Sequence, residues 1–104
     1  MAAPAAATYQ NVFLNGLGAS GSASFGPSAI EFRDESNALK QSVAGEQMLK
    51  TFVVTYGNNG QLQVVMKDGK TVLLYGFSKE ELGKVKEYVE KQYGVTCEKA
   101  EVSE

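Results

Sequence analysis

The sequence lacks residue types that many common functions require. It has no histidine, which removes the usual acid–base group at neutral pH and the commonest metal ligand. Its one cysteine, Cys97, excludes an intramolecular disulfide and a multi-cysteine zinc site. We therefore expect no catalytic residues, no metal site and no disulfide framework, and we expect Cys97 to be a buried, inert thiol.

Positive charge and long apolar runs are also scarce. The net charge is -2, and the first basic residue is Arg33. A general nucleic-acid-binding domain usually has a basic surplus, so this charge balance argues against one. No apolar run approaches the roughly 20 residues of a membrane span, and residues 1–7 lack the basic start of a signal peptide. These absences predict a cytosolic or nuclear protein.

The length of 104 residues suits one domain with a single core. Residues 1–8 are rich in alanine and predict a disordered N-terminal arm. Residues 95–104 are acidic and predict a tail, or a linker to further domains. The folded domain is therefore expected to occupy residues 9–94.

Strand signals fill most of that domain. Short apolar or alternating runs are separated by Gly, Asn, Asp and Ser, as in an antiparallel sheet. The clearest turns are residues 57–60 and Asp68-Gly69, which tolerate the positive φ of tight hairpins. The pattern predicts seven strands, at residues 9–17, 22–25, 29–33, 39–43, 49–56, 61–66 and 71–75.

One helix is predicted after the last of these strands, over residues 79–93. The apolar period changes there from 2 to 3.6. Ser78 and Glu81 have the spacing of a capping box, and Gly94 suits a left-handed C-terminal cap. The charged side of the helix is interpreted as a solvated face. The expected architecture is mainly β, a seven-stranded antiparallel sandwich or barrel capped by one C-terminal helix.

The glycines at positions 16, 18 and 21 match the pattern G-x-G-x-x-G of dinucleotide-binding proteins. That fingerprint needs a following helix whose N-terminus meets the pyrophosphate. Here a strand-like segment and Pro27 follow instead. We interpret the glycines as a turn and expect no cofactor.

Several segments carry a resemblance to a known family. Residues 62–77, with the helix that follows, resemble the N-terminal pleckstrin-homology-like domain of structure-specific recognition protein, the smaller subunit of the FACT histone chaperone. Residues 9–12, 29–33 and 43–46 resemble earlier strands of that domain. The chain departs from the family in having no tryptophan and an uncharged, glycine- and serine-rich early segment.

The resemblance implies a non-enzymatic protein–protein interaction domain. Its partner would be the large FACT subunit, in a complex that reorganises nucleosomes during transcription, DNA replication and DNA repair. Histones or nucleosomes would be reached through that complex, without direct sequence-specific nucleic-acid or membrane binding. The location implied is the nucleus and the chromosome.

The candidate partner-binding residues lie in the fifth predicted strand or directly before it. The later strands carry apolar residues on both faces, and one face suffices for the core. The second face is either an interface or is buried beneath the helix or the N-terminal arm. The predicted contact residues are Met48, Phe52, Val54 and Tyr56.

The alternative function is a phosphoinositide- or peptide-binding adaptor of the same fold. Its basic pocket would be formed by Arg33, Lys40 and Lys50. Lipid-binding domains of this fold often use Lys and Arg on the first hairpin, where the cations meet lipid phosphates. Residues 1–32 contain no Lys or Arg, so this first-hairpin site cannot be built.

Overall fold

The computed structural model describes residues 7–15, 18 and 20–102. Eight strands are present in this part of the chain: β1 (Ala7–Leu14), β2 (Ser20–Phe25), β3 (Ala29–Asp34), β4 (Leu39–Ala44), β5 (Met48–Tyr56), β6 (Asn59–Met66), β7 (Thr71–Ser78) and β8 (Cys97–Val102). A 3-10 turn, Gly45–Gln47, joins β4 to β5. One α-helix, α1 (Lys79–Tyr88), continues as a π-helical turn, Val89–Tyr93.

The strands form one open sheet in the order β4-β3-β2-β1-β7-β6-β5-β8. All pairs are antiparallel except β5 with β8, which is parallel. The seven predicted strands are confirmed, with ends that differ by a few residues, and residues 16 and 17 lie outside the described residues. The mainly β prediction with one C-terminal helix is confirmed as well.

The eighth strand corrects the prediction for the C-terminal segment. Residues 97–102 were predicted to belong to an acidic tail or linker, but they form β8 along the edge of β5. Val95 and Cys97 are buried in the core, and the backbone N–H of Thr51 donates to the carbonyl oxygen of Thr96 at 2.9 Å. The acidic residue Glu98 lies on the exposed side. The predicted arm, residues 1–8, also overlaps β1 at its end, and residues 1–6 lie outside the described part of the chain.

The core is a single cluster to which the inward faces of the strands and the apolar side of α1 contribute. The helix packs against β5, β6 and β7. Rings from distant parts of the chain meet edge to face: Tyr9 lies 5.5 Å from Phe25 and 5.7 Å from Phe77, and Tyr88 lies 6.1 Å from Phe25, all between ring centroids. The first two contacts join strands to one another, and the contact of Tyr88 with Phe25 joins the helix to the sheet.

Both predicted ends of the helix are confirmed. The Ser78 hydroxyl accepts from the backbone N–H of Glu81 at 3.1 Å, and the Glu81 carboxylate accepts from the backbone N–H of Ser78 at 2.8 Å. Gly94 has a left-handed conformation, with φ of 67°. Within the described residues, no helix has the length and apolar character to cross a bilayer.

Candidate protein-binding surface

The face of the sheet away from the core carries a continuous stripe across four strands. Residues directly opposite one another on paired strands point to the same face of a sheet. Phe13 on β1 pairs with Tyr75 on β7, which pairs with Gln61 on β6, which pairs with Val54 on β5. These pairings place four side chains in one row.

A second row lies beside the first, where Leu73 on β7 pairs with Gln63 on β6, which pairs with Phe52 on β5. We call the two rows together the outer stripe: Phe13, Phe52, Val54, Gln61, Gln63, Leu73 and Tyr75. All seven residues are partly buried, and none has a side chain that is charged at neutral pH. Depletion of charge and enrichment in aromatic residues are the compositional features of interface cores.

The side chains of the outer stripe contact one another and the residues at the border of the stripe. The rings of Phe13 and Tyr75 stack, with centroids 5.4 Å apart and an interplanar angle of 13°. The Lys50 ammonium lies 5.4 Å from the centroid of the Phe52 ring. At the other end of β5, the Tyr56 hydroxyl donates to the Gln61 side-chain oxygen at 3.1 Å. The stripe therefore contacts Lys50 at one end of β5 and Tyr56 at the other.

Three of the four predicted contact residues lie in or beside this stripe. Phe52 and Val54 belong to it, and Tyr56, which is 37% exposed, follows Val54 on the same face of β5. Phe13 and Tyr75 were not predicted, although both are aromatic residues at alternating positions of predicted strands. Their association depends on the pairing of β1 with β7, which are distant in sequence.

The fourth predicted residue, Met48, lies in the core and is only 3% exposed. A β-bulge between Met48 and Lys50 is the reason. Met48 pairs with Met66, but Lys50 pairs with Val65, so Leu49 is an extra residue in β5. The extra residue reverses the alternation, and Met48 therefore points to the opposite face from Lys50.

The structure also answers whether the helix covers the second apolar face. Leu82 and Val85 of α1 are buried in the same cluster as Val53 and Leu62, which are the inward residues of β5 and β6. The helix therefore lies on the side of the sheet away from the outer stripe. Of the predicted N-terminal arm, residues 1–8, residues 1–6 lie outside the described residues.

The basic pocket of the alternative function is not assembled among the described contacts. Arg33 lies 3.6 Å from a carboxylate oxygen of Glu31, and Lys40 lies 3.6 Å from one of Asp34. Lys50 is on β5, which four strands separate from β3 in the sheet order. Two of the three cations are thus paired with carboxylates, and the third contacts an aromatic ring.

No group of three or more metal-ligating side chains is found among the described residues. Cys97 is buried, as predicted, and desolvation is the main reason that the pKa of its thiol is raised. Of the three glycines in the dinucleotide-like pattern, Gly16 lies outside the described residues, and Gly21 pairs with Asp34 in the sheet. The pattern is followed by strands and a turn, so no helix N-terminus stands behind it.

A mainly antiparallel sheet of eight strands, packed on one C-terminal helix, is the architecture of a pleckstrin-homology-type domain. The family model described as "POB3-like N-terminal PH domain" matches residues 7–99. The chain belongs to this family, which confirms the predicted resemblance and fold class.

A comparison with solved structures gives the same fold. The chain aligns with one chain of the "Structure of the Spt16D Pob3N heterodimer" with a TM-score of 0.83 at 11% sequence identity. The alignment covers 93% of this chain and 55% of that chain, so this chain spans about half of its length. No match is found among curated protein sequences.

Proposed function

We propose that this chain is the dimerisation domain of a FACT-type small subunit and that it pairs with the large subunit. The family match over residues 7–99 carries this proposal. The similar fold in a structure described as a Spt16D Pob3N heterodimer supports it. In such a complex the domain tethers two chains that reorganise nucleosomes in the nucleus during transcription and replication, and histones are reached through the complex.

The outer stripe is the proposed contact surface, with Tyr56 at its border. It is uncharged and partly exposed, and α1 does not cover it. A partner of matching chemistry presents an apolar, uncharged patch to the stripe itself, because an ionised group there would lose hydration, and places charged groups only at the border, where Lys50 and Glu98 lie.

Co-expression with the large FACT subunit tests the pairing. We expect a stable one-to-one complex by size-exclusion chromatography with light scattering. If the two purified chains elute separately at micromolar concentration, the proposed pairing is wrong.

Variants then test the surface. The double variant F52E/V54E is expected to abolish the complex. Y56A is expected to weaken it, and since Tyr56 is exposed, this substitution leaves the core intact. The control is L39E, which introduces one of the two negative charges at a residue that is 47% exposed on β4, at the other end of the sheet. A complex that survives both F52E/V54E and Y56A would overturn the surface while leaving the pairing intact.

A further inference from the structure

Strand β4 forms one edge of the sheet, and among the strands of the described residues only β3 pairs with it. The backbone N–H of Gly45, directly after β4, donates to the carbonyl oxygen of Ser28, directly before β3, at 2.8 Å. In an antiparallel pair, successive residues direct their backbone groups alternately toward the neighbouring strand and away from it. The backbone of Val43 therefore bonds to β3, whereas the N–H groups of Ser42 and Ala44 point out from the sheet edge.

The two edges of the sheet differ in charge. Half of the residues of β8 are charged, and charged side chains on an edge strand oppose pairing with another chain. β4 carries one charged residue, Lys40, which lies 3.6 Å from a carboxylate oxygen of Asp34 and is the extra residue of a β-bulge. The charge and the bulge both lie at the start of β4, so residues 41–44 carry neither of these obstacles to an added strand.

A cavity of about 380 Å³ lies at the Ala44 end of this edge. Its apolar wall consists of Pro27, Ala29, Ala44, Gly45 and the ring of Tyr93, and Ser28 and Gln92 line it as well. A cavity of roughly 150 Å³ with apolar walls is large enough to bind benzene, so this volume accommodates an aromatic side chain. A strand added along β4 would pass this cavity where β4 ends.

The ring of Tyr93 forms a defined part of the cavity wall. A Cβ atom at Gly45 would lie 2.8 Å from Cδ1 of Tyr93, so the ring packs directly on the backbone of Gly45. Aromatic rings prefer edge-to-face or offset contacts with one another. The Tyr93 ring therefore offers a specific contact to an aromatic side chain that enters the cavity.

Glu46 gives the cavity its charge. Of the described residues that line the cavity, only Glu46 is charged, and its side chain is in no ion pair or hydrogen bond within the described part of the chain. A basic group beside the aromatic side chain of a ligand would complement this carboxylate.

We propose that the edge of β4 binds a short extended segment of a partner protein by strand addition, with an aromatic side chain in the cavity and a basic residue beside Glu46. In this mode the main-chain hydrogen bonds give affinity and the side-chain pocket gives specificity. A second copy of this chain fits less well, because residues 41–44 are far fewer than the roughly 20–30 residues a side of a stable interface. β4 is separated from the nearest strand of the outer stripe by two strands, so the site does not depend on the proposed dimerisation.

Fluorescence anisotropy of the purified chain with a labelled peptide tests this inference. The probe has arginine and phenylalanine at its N-terminal end and then four alternating threonine and valine residues, because an antiparallel strand places its N-terminal end at the cavity. Replacing phenylalanine by alanine is expected to weaken binding about tenfold, since less apolar surface is buried. N-methylation of alternate peptide amides should abolish binding. Equal affinity for all three peptides, or no binding of the first, would overturn the proposal.

Amide hydrogen exchange followed by NMR tests whether the peptide adds as a strand. The N–H groups of Ser42 and Ala44 should exchange rapidly in the free protein and become protected when the peptide is bound. The N–H of Val43 bonds to β3 and should be protected in both states. If the bound peptide leaves the exchange of Ser42 unchanged, it does not pair with β4 and the proposal is wrong.

The chain offers a matched pair of variants at the edge itself. S42P removes an N–H that points away from β3, and a proline is tolerated at such a position of an edge strand. We expect folded S42P to lose at least about tenfold in peptide affinity, whereas S42A keeps the N–H and should stay within about twofold. Equal affinities of the two variants would overturn strand addition. If the free chain is a dimer that S42P converts to a monomer, the edge is occupied by a second copy and the proposed ligand is wrong.

Charge variants test the contact with Glu46. E46Q is expected to weaken binding of the arginine peptide about threefold, as for an exposed ion pair, and to leave a peptide with glutamine in place of arginine unaffected. E80Q is the control, because it makes the same change of charge at the start of α1, at the opposite end of the helical segment from Tyr93. Equal losses in E46Q and E80Q would show a non-specific charge effect and overturn the basic residue of the proposed ligand.

Discussion

The hydroxyl oxygen of Tyr93 lies 2.7 Å from the carbonyl oxygen of Gly26, and it lies 3.0 Å from that of Ala29. The Gln92 side-chain amide donates to the carbonyl oxygen of Pro27 at 2.9 Å. The end of the helical segment is therefore fixed to the turn between β2 and β3. Burial is the main reason that the pKa of Tyr93 is raised far above its usual range.

Replacing Tyr93 by phenylalanine is expected to lower the free energy of unfolding by about 1–2 kcal/mol, because a partly buried hydrogen bond is lost and a carbonyl loses its partner. Urea unfolding at pH 7 measures the change. Y56F is the matched control, since the Tyr56 hydroxyl makes a solvent-exposed hydrogen bond and its loss should cost less. Equal effects of the two variants would contradict a structural role for the Tyr93 hydroxyl.

The same tyrosine predicts a loss of stability at alkaline pH. In the unfolded chain a tyrosine ionises near pH 10, whereas the raised pKa keeps Tyr93 protonated in the folded state. Above about pH 10 the unfolded state therefore binds fewer protons, and the free energy of unfolding falls as pH rises. Y93F should make this slope shallower, by at most about 1.4 kcal/mol per pH unit. Urea titrations between pH 8 and pH 11 measure it, and an unchanged slope would show that Tyr93 does not contribute.

The capping box predicts a sensitive position at the start of α1. S78A removes the hydroxyl that accepts from the backbone N–H of Glu81, and we expect a loss of about 0.5–2 kcal/mol. S78D keeps a side-chain oxygen at the same place and should remain close to the original stability. Thermal unfolding of the two variants distinguishes a capping effect from a general intolerance of substitution at this residue.

The eighth strand predicts where the domain ends. A chain that stops after residue 94 loses Val95 and Cys97 from the core and leaves the edge of β5 unpaired. We expect this truncation to aggregate or to unfold at a much lower temperature than a chain that stops after residue 102. Similar stability of the two chains in calorimetry would mean that β8 contributes little.

Two glycines are expected to respond oppositely to alanine. G83A should stabilise the protein by about 0.5–1 kcal/mol, because it favours the helix and its Cβ atom has open space. At Gly60 a Cβ atom would lie 2.4 Å from the backbone oxygen of Val54 and 2.4 Å from a Leu82 methyl, so G60A should destabilise it. Chemical denaturation of both variants checks the signs, and a stabilised G60A would contradict this account of the packing.

Local sequence signals were sufficient for most of the secondary structure. Tight turns such as Asp68-Gly69 and the box of Ser78 with Glu81 are encoded within a few residues, and the structure reproduces them. Strand β8 has no comparable signal, because its sequence is short and half of its residues are charged. It forms a strand by pairing with β5, which lies more than forty residues earlier in the chain. No local sequence pattern predicts that pairing.

The candidate surface was predictable only in part, for similar reasons. Alternation along β5 places Phe52 and Val54 on one face, and that pattern is visible in the sequence. The buried position of Met48 depends on the β-bulge between Met48 and Lys50, which the neighbouring residues do not predict. The contribution of Phe13 required knowing that β1 lies beside β7, which is a property of the sheet order.

The parallel pairing of β5 with β8 also has a consequence for how the chain is made. Synthesis runs from the N-terminus, so β5 leaves the ribosome before residues 97–102 do. Until those residues emerge, one edge of β5 has unpaired backbone groups, to which another extended strand can bind. The order of synthesis therefore leaves this edge of the sheet open until last.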